Sequence, residues 1–243
     1  MRLSAKLVDV TEVTPQARDE MFGLMDDHYA NVHRPLFEAD LARKRWVILV
    51  REPSGRLCGF STQTLLDTRV GGRFVKALFS GDTIIDRQRW GDAALSHVWG
   101  QLALTLIDAH PGEELYWFLI SQGYKTYRFL PVFFREFYPR YDAQTPAPVK
   151  AIVDALARKA FPESYDAASG VIRATPLQYR LRAGLAEVTP ERLRDPHIRF
   201  FHTRNPGHAQ GDELCCLAPL TRATFTRAAY RVIGSEPAAL ELS

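Results

Sequence analysis

Residues 78–106 read LFSGDTIIDRQRWGDAALSHVWGQLALTL, and three features of that stretch decide the fold. It opens as the end of a strand running from Phe74 to Ile85, interrupted at Ser80-Gly81-Asp82, where an interior glycine points to a bulge or a close backbone approach. It ends as a helix, because Leu95, Val98, Trp99, Leu102 and Leu106 recur at i, i+3, i+4, i+7 and i+11 and make one apolar stripe. Between the two lies Gln88-Arg89-Trp90-Gly91-Asp92-Ala93, which fits the pattern [Gln/Arg]-x-x-Gly-x-[Gly/Ala]. Free N–H groups at a helix start, with Gly91 allowing close approach, suit a pyrophosphate. The helix dipole, Arg87 and Arg89 add positive charge there. From these residues alone, an ordinary strand-to-helix connection capped by Asp92 is the preferred reading.

Working outward, Arg2 to Val10 reads as a strand. Thr14-Pro15 then supplies an N-cap and first helical residue for a helix to about Tyr29 carrying Met21, Leu24, Met25 and His28 on one face. Asn31 to Pro35 breaks it, and a short helix follows from Phe37 to Lys44. Trp46–Arg51, Leu57–Asp67 and Phe74–Ile85 form an antiparallel meander turned by Pro53-Ser54-Gly55 and Gly71-Gly72. Leu115–Ile120 is a near-continuous apolar run, as in a strand covered on both faces. Gly123–Tyr138 reads as an aromatic helix that Pro131 kinks or restarts. Further on, 145–161 is an amphipathic helix and 164–196 is irregular. Ile198–Thr203 and Glu213–Leu217 are expected to pair as a long-looped hairpin, with a terminal helix over Thr221–Ile233.

Composition narrows the function. In 243 residues, 46% are hydrophobic and 24% charged, the values of an ordinary globular chain. Lys and Arg number 31 against 28 Asp and Glu, a net +3 that is too small to imply a nucleic-acid partner. No apolar run reaches the length of a membrane span and no apolar leader opens the chain, so a cytoplasmic protein without membrane attachment is expected. Cys58, Cys215 and Cys216 are too few for a disulfide framework and read as small apolar strand residues. His202 and His208 lack further ligands at metal-binding spacing, and no metal is expected.

With its flanking order of helices, meander, loop-helix and buried strand, the segment around Gly91 resembles the GNAT superfamily of acyl-CoA-dependent N-acyltransferases over residues 1–141. The resemblance implies an α/β fold whose mixed, mostly antiparallel central sheet is flanked by helices. Residues 142–196 would be an insertion, and 197–243 a closing hairpin and terminal helix of the same domain. It implies acetyl-CoA or another acyl-CoA as the acyl donor. Gln88 and the amides of Arg89, Trp90, Gly91, Asp92 and Ala93 would hold the pyrophosphate. The edge Thr83-Ile84-Ile85 would pair with pantetheine, in a gap between strands that splay near Gly81 and Leu119. A Tyr after the buried strand would act as acid: Tyr127 first, with Tyr124 and Tyr138 as alternatives. The carboxylate base common in the family has no counterpart near Ala77, which leaves Asp82, with His97 a turn into the helix. Tyr29, Asn31 and Arg34, with His33 and Phe37, occupy the expected acceptor loop, and Gln63 and Ser61 could face the same cleft.

The implied reaction is direct attack of a small-molecule or peptide amine on the thioester in a ternary complex. Two rivals stand beside it. One is an enzyme taking a longer acyl chain from CoA or a carrier protein, motivated by the aromatic helix. The other is a catalytically inactive ligand-binding module, motivated by the missing carboxylate. A homodimer is left open.

Overall fold

Two glycines with positive φ, Gly71 at 57° and Gly72 at 82°, turn the chain tightly in the way a two-residue hairpin requires. The computed structural model describes residues 3–182, 184–185 and 187–234. Arg2, the expected start of the first strand, and 235–243, the end of the expected closing segment, lie outside the described residues. The chain runs β1 (Ser4–Asp9), α1 (Pro15–His28), β2 (Tyr29–Ala30), α2 (Arg34–Leu41), β3 (Trp46–Arg51), β4 (Leu57–Val70), β5 (Arg73–Ile85), α3 (Ala94–Ala109) and β6 (Glu114–Ser121). Then come α4 (Tyr124–Tyr127), α5 (Phe129–Phe133), α6 (Ala147–Ala160), β7 (Tyr165–Asp166), β8 (Val171–Ile172), β9 (Arg180–Leu181), α7 (Pro196–Arg204), β10 (Glu213–Pro219) and α8 (Arg227–Ile233).

Eight strands form one mixed, mostly antiparallel sheet in the order β1-β3-β4-β5-β6-β10-β8-β7, with helices on both faces, as expected of the sequence. Among the described strands only β5 and β6 pair in parallel, joined through α3. Strand alternation sends Trp46, Ile48, Leu78 and Trp117 to one face, where they pack with Leu95, Trp99 and Leu102 of α3. Val47, Phe60 and Ile84 go to the opposite face under α1 and α2, and Val75, Ala77 and Phe79 go under α6.

The expected bulge is present. Ser61 opposes Thr83 and Gln63 opposes Ser80, so Gly81 and Asp82 together face Thr62. A Cβ at Gly81 would come within 2.7 Å of Thr62 Oγ1 and 3.1 Å of Lys44 Nζ, so the close approach needs glycine. The extra residue also reverses the parity of β5, and Thr83 returns to the face that Ser80 occupies.

Three expectations change. Ile198–Thr203 is helix, not strand: Asp195 accepts from the N–H groups of His197 and Ile198, and Pro196 opens α7 at a first-turn position. β10 instead pairs with β6 and β8, so the strand after β6 exists without the hairpin partner. Gly123–Tyr138 is two short helices followed by extended chain, in which Phe134 bridges Phe225 and Tyr138 bridges Leu217. The terminal helix begins only at Arg227, capped by Thr226.

Candidate active site

The parallel ladder between β5 and β6 ends at Ser80 and Leu119, while β5 runs on to Ile85 against β4 alone. Asp86 N–H reaches Cys58 O, and by antiparallel alternation the main-chain groups of Ile85 and Thr83 therefore face away from β4, into the gap. A cavity of about 1140 Å³ passes through this gap. It is lined on one side of the sheet by Leu95, Ser96, Phe129 and Phe133, and on the other by Tyr29, Phe37, Phe161 and Tyr179.

At one end the cavity opens beside the start of α3. Gln88, Trp90, Gly91, Asp92 and Ala93 are exposed, and Gly91 holds φ at +95°. Local turns engage the N–H groups of Arg89, Trp90 and Asp92, which reach Asp86 O, Arg87 O and Arg89 O at 2.8, 3.4 and 3.2 Å. Asp92 Oδ1 takes Ala94 N–H at 2.7 Å. Among the described residues no hydrogen bond engages the N–H groups of Gly91, Ala93, Leu95 or Ser96. Arg89 is held by Glu52 at 2.8 Å, and the two charges largely offset. Lys125 and Arg192 line the same mouth without a carboxylate partner among the described residues. Burial, with Arg192 and Arg87 nearby, depresses the Lys125 ammonium. Lys125 Nζ lies 3.2 Å from the Trp90 ring centroid, and Trp90 Nε1 donates to Ile85 O at 3.0 Å.

At the other end carboxylates collect. Asp82, on the bulge, accepts from the Tyr179 hydroxyl. Asp40 pairs with Lys44 at 2.9 Å, and Gln178 Nε2 donates to Glu213 at 3.2 Å. Burial, with Asp40 nearby, pushes Asp82 up to about 6. Burial together with Asp82 and Asp40 pushes Glu213 up to about 8. Tyr29 and Tyr179 are raised by the same burial and the same carboxylates, so both are neutral donors at ordinary pH. Gln122 Oε1 is buried beside them with no hydrogen-bond partner. The surroundings of this end therefore favour an occupant that is cationic and donates hydrogen bonds.

Thr175, Leu177, Gln178, Tyr179 and Leu181 roof this end. β9 pairs with β2, and Asn31, at φ 66°, donates to Pro176 O at 3.0 Å and Gln178 O at 3.3 Å.

Of the residues singled out in the sequence, Tyr29, Asn31, Asp82, Thr83, Ile84, Ile85, Arg89, Trp90, Gly91 and Asp92 line this one cavity. Gln88 and Ala93 lie on the same loop. Tyr127 does not line it: its ring is fully buried against Phe137 and Phe201, and its hydroxyl donates to Pro139 O at 2.9 Å. Tyr124, one turn earlier, lines the cavity instead. Arg34 also lies outside, held by Asp19 and Glu38 at 2.6 Å each. Gln63 is wholly buried beneath the sheet surface. His97 faces α8, bonding Val232 O at 2.8 Å. Sequence reasoning missed Glu213, Lys44, Gln122 and Tyr179. The one local signal was Glu213, a charge opening the apolar run Leu214–Leu217.

Among the described residues no helix is long and apolar enough to cross a membrane. No group of three or more His, Cys, Asp or Glu suited to a metal occurs among them.

No protein-family model matches the chain, and no curated protein matches it in sequence. Solved structures match part of it by structure. A GNAT family N-acetyltransferase from Escherichia coli, determined with CoA, is 12% identical at a TM-score of 0.39, over 53% of this chain and 68% of its own. A probable N-acyltransferase from Enterococcus faecalis is 16% identical at 0.41, over 56% of this chain and 33% of its own. A ribosomal-protein-alanine N-acetyltransferase from Brucella melitensis biovar Abortus is 13% identical at 0.40, over 53% and 89%.

Proposed function

We propose that this chain is a GNAT-type N-acyltransferase that moves an acyl group, most simply acetyl, from CoA to a cationic amine by direct attack in a ternary complex. The observation that carries the reading is the polarity of one cleft through the sheet. Unpaired amides and the cations Lys125 and Arg192 stand at its mouth, a free strand edge runs along its middle, and the carboxylates Asp82 and Glu213 lie at its floor. The mouth suits a diphosphate. The edge suits the amides of a pantetheine arm, which would displace the Trp90 indole from Ile85 O. The floor attracts an ammonium ion and then takes its proton, as nucleophilic nitrogen must be neutral. A carboxylate pushed toward neutral pH is well placed for that transfer.

Calorimetry with acetyl-CoA, followed by thiol release across a panel of mono- and diamines, tests the proposal. Binding with amine-dependent thiol release supports it. Binding without release from any amine favours the inactive module, and no binding removes the reading. Running the panel with acyl-CoAs of increasing length, free and on carrier protein, separates an acetyltransferase from a long-chain enzyme.

A further inference from the structure

A buried chain of hydrogen bonds crosses from the core to the gap between β5 and β6. Trp117 Nε1 donates to Ser80 Oγ at 2.9 Å, Ser80 Oγ to Gln63 Oε1 at 2.6 Å, and Gln63 Nε2 to Ser61 Oγ at 2.7 Å. Ser61 Oγ and Thr83 Oγ1 are 2.7 Å apart. An indole N–H can only donate. Were the Gln63 amide reversed, Ser80 would receive two donors, and its own proton, on a residue 3% exposed, would have no acceptor. Either hydroxyl of that pair can donate, but among the described residues the Ser61 proton has no acceptor other than Thr83, whereas Thr83 also reaches Gly81 O, so the arrangement that satisfies both sends the Ser61 proton to Thr83. The Thr83 hydroxyl proton is then left over. Its one acceptor among the described residues is Gly81 O at 3.4 Å, a poor bond. Thr83 lines both the main cavity and a hollow of about 30 Å³ beside it, walled by Leu95, Trp99, Leu119 and Phe129.

We propose that Thr83 is a catalytic residue whose hydroxyl donates to the thioester carbonyl oxygen and to the oxyanion that forms from it. The inference rests on the acyltransfer reading above. As the amine nitrogen bonds to the carbonyl carbon, the C=O π pair moves to oxygen and Thr83 O–H stabilises that charge. When the pair returns, the C–S bond breaks and CoA leaves as thiolate. Nitrogen sheds two protons, one to a floor carboxylate before attack and one from the adduct to solvent, and the thiolate takes one from solvent. Thr83 keeps its proton throughout, because a chain that begins at an indole has none to resupply. The bulge is what makes this possible. Without the extra residue, Ser80 and Thr83 would point to opposite faces, and the chain would stop at Ser61.

Thr83→Val, which keeps the shape, and Thr83→Ser, which keeps the hydroxyl, test the assignment. One readout is the carbonyl stretch of bound carbon-13-labelled acetyl-CoA, which needs no acceptor amine. The other is kcat for thiol release with the best amine. The wild type and Thr83→Ser are expected to lower the carbonyl frequency relative to free acetyl-CoA. Thr83→Val is expected to lose that shift and about 10²-fold in kcat, the scale of one oxyanion donor, with acetyl-CoA affinity held within about threefold. Bound acetyl-CoA with the same carbonyl frequency and kcat in Thr83→Val and wild type overturns the assignment and leaves the acyltransfer reading standing. Failure of the wild type to bind acetyl-CoA overturns both.

Discussion

Tyr179 donates its phenolic hydrogen to Asp82 across 97 residues of sequence, tying the roof of the cleft to the bulge that opens it. Tyr29 meets Tyr179 edge to face at 4.9 Å, and Asn31 fastens the backbone on either side of Leu177. The late segment is thus part of the cleft wall. It buries Asp82 and Glu213 and so raises both.

Tyr179→Phe keeps the ring contact and removes the donor. Above about pH 6 Asp82 then carries a buried charge with one bond fewer, and stability should fall by about 1–3 kcal/mol. At pH 5 the carboxyl is protonated and the loss should be smaller. Urea unfolding at pH 5 and 8 measures both, and equal losses would contradict the pairing.

Glu213 binds its proton more tightly folded than unfolded, with the folded carboxyl near 8 against 4.5 for an ordinary one. The contribution is therefore full below about pH 4.5 and is lost as pH rises through 8. The unliganded protein should melt lower at pH 8.5 than at pH 6, and Glu213→Gln should flatten that slope. Activity runs the other way, since the base must be ionised. An apparent pKa near 8 in kcat/KM assigns the proton to Glu213, and one near 6 assigns it to Asp82.

At Gly91 the φ of +95° resists any side chain, yet a Cβ there meets nothing within 4 Å. Gly91→Ala should cost about 1 kcal/mol of stability and little CoA affinity. Gly91→Glu adds a negative charge at the proposed diphosphate site and should weaken CoA binding at least tenfold. Calorimetry that finds the two variants alike would place the diphosphate elsewhere.

Tyr127→Phe should leave turnover unchanged, because the hydroxyl serves Pro139 O in the core. Loss of that bond should cost about 1 kcal/mol. A fall in kcat with stability intact would restore the catalytic role expected from its position after β6.

Asn31→Gly keeps the positive φ and deletes the two bonds to the roof. KM for the amine should rise severalfold while acetyl-CoA affinity stays constant. Faster amide exchange at residues 176–182 would show the roof loosening.

Much of the fold was legible because it is encoded in short windows. The meander from Trp46 to Ile85, the bulge at Gly81, the stripe on α3 and the glycine loop before it each depend on neighbours a few residues apart. The departures near Ile198 and Tyr127 were local too. Asp195-Pro196 is a helix start that an apolar run obscured, and one turn of register separates buried Tyr127 from cleft-lining Tyr124.

The amino-acid order alone determined the meander, the bulge, the stripe of α3 and the glycine loop before it, since hydrogen-bond geometry and side-chain periodicity act along the chain. Only the tertiary structure decided which groups share the floor of the cleft. Asp40, Asp82, Gln122, Tyr179 and Glu213 come from five distant segments, and their protonation is set by mutual burial and repulsion that no single segment possesses.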